Sequence, residues 1–134
     1  MFVDASAIVA ILNNEPEAEA FLGILDSQDG FITSPLAVLE AVIRMASVMG
    51  ESVDKARALV EEFLQEAEIA IHPVDADVGR LAMAAFDRYG KGRHPARLNF
   101  GDCFSYAMAR HHRVGLLYKG NDFAQTDLAG PSPL

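Results

Sequence analysis

Residues 30–50 read GFITSPLAVLEAVIRMASVMG and combine a strand with a helix. The aromatic and β-branched side chains of FITS favour an extended strand. Ser34 is a suitable N-cap, Pro35 suits the first helical turn, and Gly50 ends the helix. The apolar positions of this helix form a stripe too broad for a helix that lies on the surface. The segment therefore predicts a βα unit whose helix is largely buried.

The same alternation of strand and helix extends along the chain in both directions. Further strands are predicted from the runs MFVD (1–4), EIAIHPV (68–74) and GLLY (115–118). Further helices are predicted over residues 5–14, 16–28, 53–67, 75–89 and, after a cap at Asn99, 100–113. Parallel strands need crossover connections, which helices supply. We therefore expect an α/β fold, a three-layer α/β/α sandwich around a central, mostly parallel sheet.

The composition is that of an ordinary globular domain. Hydrophobic residues make up 51% and charged residues 22% of the 134 positions, which excludes a disordered chain and fits a single domain. One cysteine excludes an internal disulfide and a CxxC zinc site. No apolar run reaches the length of a membrane span, so we expect a cytoplasmic protein without membrane contact.

The charge is distributed unevenly along the chain. The formal net charge is −8, which taken alone argues against nucleic-acid binding. Residues 1–79 carry 3 basic and 15 acidic side chains, whereas residues 80–119 carry 8 basic and 2 acidic side chains. The basic segment is explained equally well as a solvated face or as a local field that attracts phosphates.

Four acidic side chains are predicted to meet at one edge of the sheet. Asp4 follows the first strand, and Asp122 follows the last. Glu40 and Asp102 lie in the first two turns of their helices. In a parallel α/β sheet, the C-terminal ends of the strands and the N-terminal ends of the helices share the edge at which ligands bind. The predicted convergence depends on this fold and not on sequence spacing alone.

Each of these acids also has a purely structural explanation. Asp4 can cap its helix, and Asp102, at the third helical position, can complement the helix dipole. Glu40 can pair with Arg44 four residues later. Asp122 is a common turn residue. For any one of these acids considered alone, the structural explanation is more common than a catalytic role.

Taken together, the four carboxylates require a cation. Two carboxylates ~4 Å apart repel by about 4 kcal/mol at an effective dielectric constant of about 20. A group of four therefore binds protons or recruits a metal, and hard carboxylate oxygens suit Mg²⁺ or Mn²⁺. Such ions support phosphodiester hydrolysis by metal-activated water. The residues that we predict to be both metal-binding and catalytic are Asp4, Glu40, Asp102 and Asp122.

Four motifs in this chain, taken in order, resemble the PIN-domain ribonucleases, and most closely the VapC toxins, including their FitB-like members. The motifs are VDASAIVAIL, PLAVLEAVIR, LNFGDCFSYAMA and LLYKGNDFAQTD. The resemblance covers residues 1–128 as a single PIN-like domain and leaves residues 129–134 as a flexible tail.

The resemblance implies an endoribonuclease that is the toxin of a type II toxin–antitoxin pair. It places the same four acids at the metal-binding positions, although Asp127 lies close enough in sequence to replace Asp122 as the fourth. Ser6 matches a small hydroxyl side chain that supports the metal site in such proteins. The resemblance also implies a homodimer and a cognate antitoxin as protein partner.

Basic side chains flank the predicted site. Lys91, Arg93 and Arg97 precede the helix of Asp102, and Lys119 lies three residues before Asp122. They are candidates for binding RNA phosphates. Each of them is also explained as an ordinary charged surface residue.

Two other functions fit the same residues. In an aspartate-based phosphoryl-transfer domain, Asp4 would be the nucleophile and Lys119 the phosphate clamp. Ser6 argues against this function, since a haloacid-dehalogenase-like phosphatase needs a second Asp at that position. A catalytically silent dimerising or RNA-binding module would keep the fold and lack metal-dependent cleavage.

Overall fold

A computed structural model describes residues 1–128 of the chain. The predicted tail, residues 129–134, lies outside the described residues. Short strands alternate with helices in the order β1 (Phe2–Val3), α1 (Ala5–Leu12), α2 (Ala18–Ser27), β2 (Ile32–Thr33), α3 (Pro35–Met49), α4 (Val53–Glu66), β3 (Ala70–Ile71), α5 (Ala76–Tyr89), α6 (Phe100–His112) and β4 (Leu116–Leu117). A 3₁₀ turn, Phe123–Gln125, follows β4.

The four strands form one parallel sheet in the order β3-β2-β1-β4. Phe2 of β1 pairs with Ile32 of β2 on one side and with Leu116 of β4 on the other. Ile32 in turn pairs with Ala70 of β3. The predicted α/β fold with a central parallel sheet is confirmed.

Helices cover both faces of most of the sheet. Successive residues of a strand point to opposite faces. Both residues of β1, of β2 and of β4 are buried, so side chains on both faces are covered, as a three-layer sandwich requires. Both residues of the edge strand β3 are exposed. The core therefore lies around β1 and its two neighbours.

Helices α3 and α6 begin at the predicted caps, Ser34 and Asn99, and α5 begins one residue after its predicted first residue, Asp75, which is its cap. The hydroxyl of Ser34 accepts a hydrogen bond from the backbone N–H of Ala37 (3.1 Å), and the carboxylate of Asp75 accepts one from that of Val78 (2.9 Å). These caps satisfy backbone donors that lack a partner within the helix. The exception is α2, which begins at Ala18, two residues after the predicted start, because the preceding residues form a turn without a side-chain cap.

The prediction that α3 is largely buried is wrong on one side. Its buried residues are Ala37, Ala41, Val42 and Met45. Leu39 and Ile43 are 57% and 55% exposed. The apolar stripe is broader than the surface that the rest of the chain can cover, so α3 presents an open apolar face.

The strands are shorter than the apolar runs that predicted them. Each strand has two residues. β1 and β2 are short because the residue that follows each of them is already the N-cap of α1 or of α3. Within residues 1–128, no helix combines the length and the apolar character needed to cross a bilayer.

Candidate functional site

Asp4 lies where β1 ends and α1 begins, and it is 6% exposed. Its backbone N–H donates to the carbonyl of Leu117 in β4 (3.0 Å). Oδ2 accepts hydrogen bonds from the backbone N–H (3.0 Å) and the hydroxyl (2.6 Å) of Ser6. Oδ1 accepts one from the hydroxyl of Ser105 in α6 (2.5 Å). Asp4 therefore caps α1, as its structural explanation predicted, and is also a fixed, buried carboxylate.

Glu40 enters the site through space left by Gly101. Glu40 lies in the second turn of α3, and Gly101 lies in the first turn of α6. A β-carbon at position 101 would lie 1.8 Å from Oε1 and 2.6 Å from Cδ of Glu40. Both distances are far below any normal contact between non-bonded atoms. The carboxylate occupies this position because residue 101 has no side chain.

Asp102 joins the site from the first turn of α6. Its backbone N–H donates to Oδ1 of Asn99 (2.9 Å), and its Oδ2 accepts from the backbone N–H of Asn99 (3.0 Å). This reciprocal pair is a capping box, so the predicted cap at Asn99 is confirmed. The cap engages one carboxylate oxygen, and Oδ1 of Asp102 has no hydrogen bond to residues 1–128.

The pKa values show how strongly these acids interact. The pKa of Glu40 is raised from 4.5 to about 7, first by burial and then by the negative charges of Asp4 and Asp102. The positive charge of Arg44 partly offsets this rise. The pKa of Asp102 is raised from 3.8 to about 6, first by burial and then, against its capping hydrogen bond, by the charges of Asp4 and Asp122. The structure therefore brings Asp4, Glu40 and Asp102 together.

Asp122 lies beside this group at the sheet edge. It immediately precedes the 3₁₀ turn after β4, it is exposed, and its side chain makes no capping hydrogen bond. The negative charge of Asp122 helps to raise the pKa of Asp102. Asp122 therefore lies on the side of the site nearest α6.

Asp127 has partners of its own elsewhere. Oδ1 accepts a hydrogen bond from the hydroxyl of Tyr106 (2.6 Å). Oδ2 lies 3.8 Å from the guanidinium of Arg88 and 3.6 Å from that of Arg110. Burial acts to raise the pKa of Asp127, but the hydrogen bond and the two cations outweigh it and hold the pKa below its usual value. The negative charge of Asp127 is therefore already compensated within the chain.

The donor chemistry of the site fits a hard divalent cation. The converging groups are carboxylates, the ligands that Mg²⁺ and Mn²⁺ prefer. Burial, and then the charges of the neighbouring acids, raise the pKa of Glu40 and of Asp102, and a bound cation would favour the ionised forms of both. In the described part of the chain, no three Asp, Glu, His or Cys side chains form a ready ligand set. The carboxylates in their present positions are therefore not arranged as a set of three metal ligands.

Lys119 is paired with carboxylates of the chain itself. Its ammonium lies 2.6 Å from Oε1 of Glu15 and 3.1 Å from Oε2 of Glu17. Its backbone N–H donates to the hydroxyl of Ser6 (2.9 Å). Ser6 thus links the carboxylate of Asp4 to the chain after β4. The ammonium of Lys119 is therefore paired with two carboxylates of the chain, and it is not available to bind a phosphate.

The basic loop between α5 and α6 lies close to the site in sequence. Lys91, Arg93 and Arg97 are all exposed. The guanidinium of Arg93 lies 3.5 Å from Oδ1 of Asp87. Arg97 has a left-handed backbone (φ 54°) two residues before the cap at Asn99. The loop therefore presents positive charge next to the start of the helix that carries Asp102.

Two residues of the site were not predicted from the sequence. Ser105 follows Asp102 by three residues, so a helical wheel places the two on one face, but a buried serine is not distinctive. Gly101 lies in the first turn of a helix, where glycine is unfavourable. An unfavourable glycine is a signal of close approach by another group, although the sequence does not say which group.

The chain matches known proteins over almost its whole length. The sequence model of the PIN domain matches residues 1–128. A VapC ribonuclease of Rhizobium meliloti is 44% identical, covering 95% of this chain and 98% of the relative. A ribonuclease VapC of Mycolicibacterium smegmatis is 43% identical, covering 96% and 98%.

Solved structures share the fold at lower identity. The VapC20 toxin of Mycobacterium tuberculosis, which cleaves the sarcin–ricin loop, superposes with a TM-score of 0.72 at 18% identity, covering 92% of each chain. A chain of a toxin–antitoxin complex from Klebsiella pneumoniae superposes with a TM-score of 0.71 at 16% identity, covering 99% of this chain and 97% of that one.

The chain therefore belongs to the PIN-domain family, and within it to the VapC ribonucleases. Ribonucleases of this family depend on a divalent metal ion. The family model and the VapC relatives identify the family of the chain. The solved structures, at 18% and 16% identity, support only its fold.

Proposed function

We propose that this protein is a Mg²⁺- or Mn²⁺-dependent endoribonuclease that acts as the toxin of a toxin–antitoxin pair. The observation that carries the proposal is the partly buried position of Glu40 beside Asp4 and Asp102: burial first, and then the charges of these two acids, raise the pKa of Glu40 to about 7. Buried carboxylates that repel one another need a compensating cation. Membership of the VapC ribonucleases supports the same conclusion.

In this proposal, Asp4, Glu40, Asp102 and Asp122 hold the metal ion. When bound, a divalent ion supplies an activated water and neutralises charge on the scissile phosphate. The hydroxyls of Ser6 and Ser105 keep Asp4 in one orientation. Glu40 is the candidate general base, because its carboxylate makes no hydrogen bond within residues 1–128 and can take the proton of the attacking water.

Asp122 is preferred over Asp127 as the fourth acid. Its charge acts on Asp102, whereas Asp127 is engaged by Tyr106 and two arginines. The two residues thus make a matched pair of carboxylates, one beside the site and one outside it.

RNA is held, in this proposal, by the basic loop. Lys91, Arg93 and Arg97 are exposed and precede the helix of Asp102, so their charges can contact phosphates next to the scissile bond. We do not assign this role to the side chain of Lys119, since Glu15 and Glu17 already bind it.

The proposal is tested by RNA cleavage with the purified protein in Mg²⁺, in Mn²⁺ and in EDTA. We expect cleavage only with a metal. Loss of a ligand costs more than the 10- to 100-fold typical of residues behind the ligands, so Asp4→Asn, Glu40→Gln and Asp122→Asn should each lower the rate by about 100-fold or more. Asp127→Asn is the matched control and should cleave at the wild-type rate.

Each alternative function predicts a different result. Cleavage in EDTA, or a fully active Asp4→Asn variant, would contradict the metal site. A folded wild-type protein that binds RNA but never cleaves it would identify the silent module. A phosphoryl-transfer domain would form a phosphorylated Asp4 from small phosphate esters and leave RNA intact.

Two protein partners belong to the proposal. The first is a second copy of this chain. We propose a homodimer that forms through exposed apolar side chains of α3, α5 and α6, here called the apolar surface: Leu39, Ile43, Met83, Phe86 and Phe100. Phe100 and Met83 are 76% and 71% exposed, and exposed apolar side chains that cluster mark candidate sites of protein–protein contact. Helices α3 and α6 contribute to both the surface and the site, since Leu39 precedes Glu40 in α3 and Phe100 precedes Gly101 in α6.

The second partner is a cognate antitoxin, as expected for a VapC ribonuclease. Expression of the protein alone should arrest growth, and co-expression of the adjacent open reading frame should restore it. Growth arrest that persists with Asp4→Asn would contradict toxicity through cleavage. The cytoplasmic location expected from the sequence stays a prediction, which cell fractionation would check.

A further inference from the structure

Ser105 makes a side-chain hydrogen bond that joins two distant parts of the site. It is 3% exposed, and its hydroxyl donates to Oδ1 of Asp4 at 2.5 Å across 101 positions of sequence. An O–H···O⁻ bond of this length is charge-assisted and stronger than one between neutral groups. The bond therefore fixes α6 against the end of β1.

The two oxygens of Asp4 are held in different ways. Oδ2 is bound by Ser6, which is two residues away and moves with the same turn. Oδ1 is bound by Ser105, which belongs to the helix of Asp102. Ser105 and Asp102 are three positions apart, so they lie on one face of α6. The bond from Ser105 thus sets the spacing between the carboxylates of Asp4 and Asp102.

We propose that Ser105 is a positioning residue that holds Asp4 and α6 in the arrangement needed to bind the divalent metal ion. The inference rests on the proposed metal site, and it assigns to Ser105 no contact with RNA or with the metal. Residues behind metal ligands orient them, and their loss typically weakens metal binding 10- to 100-fold.

Thr33 offers a matched control for the loss of a buried hydroxyl. Its side chain is fully buried, and its hydroxyl donates to the backbone carbonyl of Val3 at 2.8 Å, one residue before Asp4. Thr33→Val keeps the shape and removes the hydrogen bond. It therefore reports the general cost of losing a buried bond beside the site without touching a carboxylate.

The test measures Mn²⁺ binding without RNA, by electron paramagnetic resonance of the free ion, for the wild type, Ser105→Ala, Ser105→Thr and Thr33→Val. We expect Ser105→Ala to raise the Mn²⁺ dissociation constant by about 10-fold or more. Thr33→Val should leave that constant unchanged, even where its melting temperature falls. Ser105→Thr retains the hydroxyl and should bind Mn²⁺ more like the wild type than like Ser105→Ala.

The metal dependence of RNA cleavage provides a second measurement. The Mn²⁺ concentration that gives half-maximal cleavage should rise in Ser105→Ala by the same factor as the Mn²⁺ dissociation constant. Equal Mn²⁺ affinity in Ser105→Ala and the wild type would overturn the role of Ser105 and leave the proposed nuclease intact. An equal loss of affinity in Thr33→Val would overturn it too. A wild-type protein that binds no Mn²⁺ would overturn both proposals.

Discussion

Gly101 controls the position of Glu40 at the scale of a single residue. Any β-carbon at position 101 would overlap Oε1 of Glu40, at 1.8 Å. Because the overlap is with the carboxylate and its Cδ atom, the Glu40 side chain must leave the site to relieve it. Glycine costs α6 some helical stability and gives the site one of its carboxylates.

Gly101→Ala is therefore expected to lower metal-dependent cleavage strongly while the protein stays folded. Alanine favours a helix over glycine by up to about 1 kcal/mol, which partly offsets the strain. The measurements are the cleavage rate and the circular dichroism spectrum. Gly23→Ala, where a β-carbon meets nothing within 4 Å, is the control and should be fully active. Wild-type activity in Gly101→Ala would contradict a role for the position of Glu40.

The carboxyl group of Glu40 makes the metal-free protein sensitive to pH. Its folded pKa, about 7, lies above its ordinary value of 4.5, so the folded protein binds this proton more tightly than the unfolded chain. That stabilisation is fully present below about pH 4.5 and is lost as the pH rises through about 7. Glu40→Gln removes the charge and keeps the shape.

In EDTA, Glu40→Gln should melt at a higher temperature than the wild type at about pH 8 and at nearly the same temperature in acid. After allowance for the half-exposed position of Glu40, the difference in free energy of unfolding is on the order of 1 kcal/mol. Thermal unfolding across this pH range checks it. Identical melting curves at every pH would show that the pKa of Glu40 is not raised in the folded protein.

At the scale of the element, α6 brings several parts of the site together. Its first turn holds the capping box and Gly101, its second turn holds Ser105, and Tyr106 binds Asp127. One carboxylate, that of Asp102, serves both the helix cap and the site. The structural explanation of Asp102 is therefore correct, and the same side chain is still free to take part in the proposed metal site.

Two substitutions separate these roles of Asp102. Asp102→Asn keeps an oxygen that can accept the hydrogen bond from Asn99, so it should lose cleavage without loss of stability. Asp102→Ala also loses the bond that its side chain accepts from the backbone N–H of Asn99, one half of the capping box, and a hydrogen bond to a charged group is typically worth about 1.5–3 kcal/mol when buried and less at this partly exposed position. Denaturant unfolding and cleavage assays compare the pair. If Asp102→Asn were as unstable as Asp102→Ala, the charge and not the cap would support the start of α6.

At the scale of the whole molecule, the apolar surface remains uncovered. Its α5 and α6 residues help to line a groove, a cavity of about 350 Å³ bounded by Met83, Phe86, Phe100 and Phe104, and its other residues, Leu39 and Ile43, lie on α3. Burying such a surface stabilises an assembly by about 25 cal/mol per Å². Its position beside the site would bring two sites of a dimer near one another.

Met83→Glu is expected to convert the dimer to a monomer, because a charge on this surface would be buried without a partner. Light scattering after gel filtration measures the mass. Val53→Glu, at a position on α4 that is 60% exposed, is the control and should stay dimeric. A monomeric wild type, or a dimeric Met83→Glu, would contradict the proposed interface.

Local features of the protein were readable from the sequence alone. The βα alternation, the caps at Ser34 and Asn99, and the position of Asp102 in the first turn were all predicted and are present. These features depend on residues three or four positions apart, whose contacts follow from the geometry of a helix. The shared edge for the acids followed from the rule that parallel strands end on one side.

Only the tertiary structure decided which groups touch. The strand order β3-β2-β1-β4 creates the contact of Glu40 with Gly101, the hydrogen bond from Ser105 to Asp4 and the pairing of Lys119 with Glu15. The open side of α3 was likewise decided by how far the other helices extend over it. The physical reason is that these contacts join residues from about 60 to just over 100 positions apart, so they depend on how helices pack on the sheet and not on any local pattern.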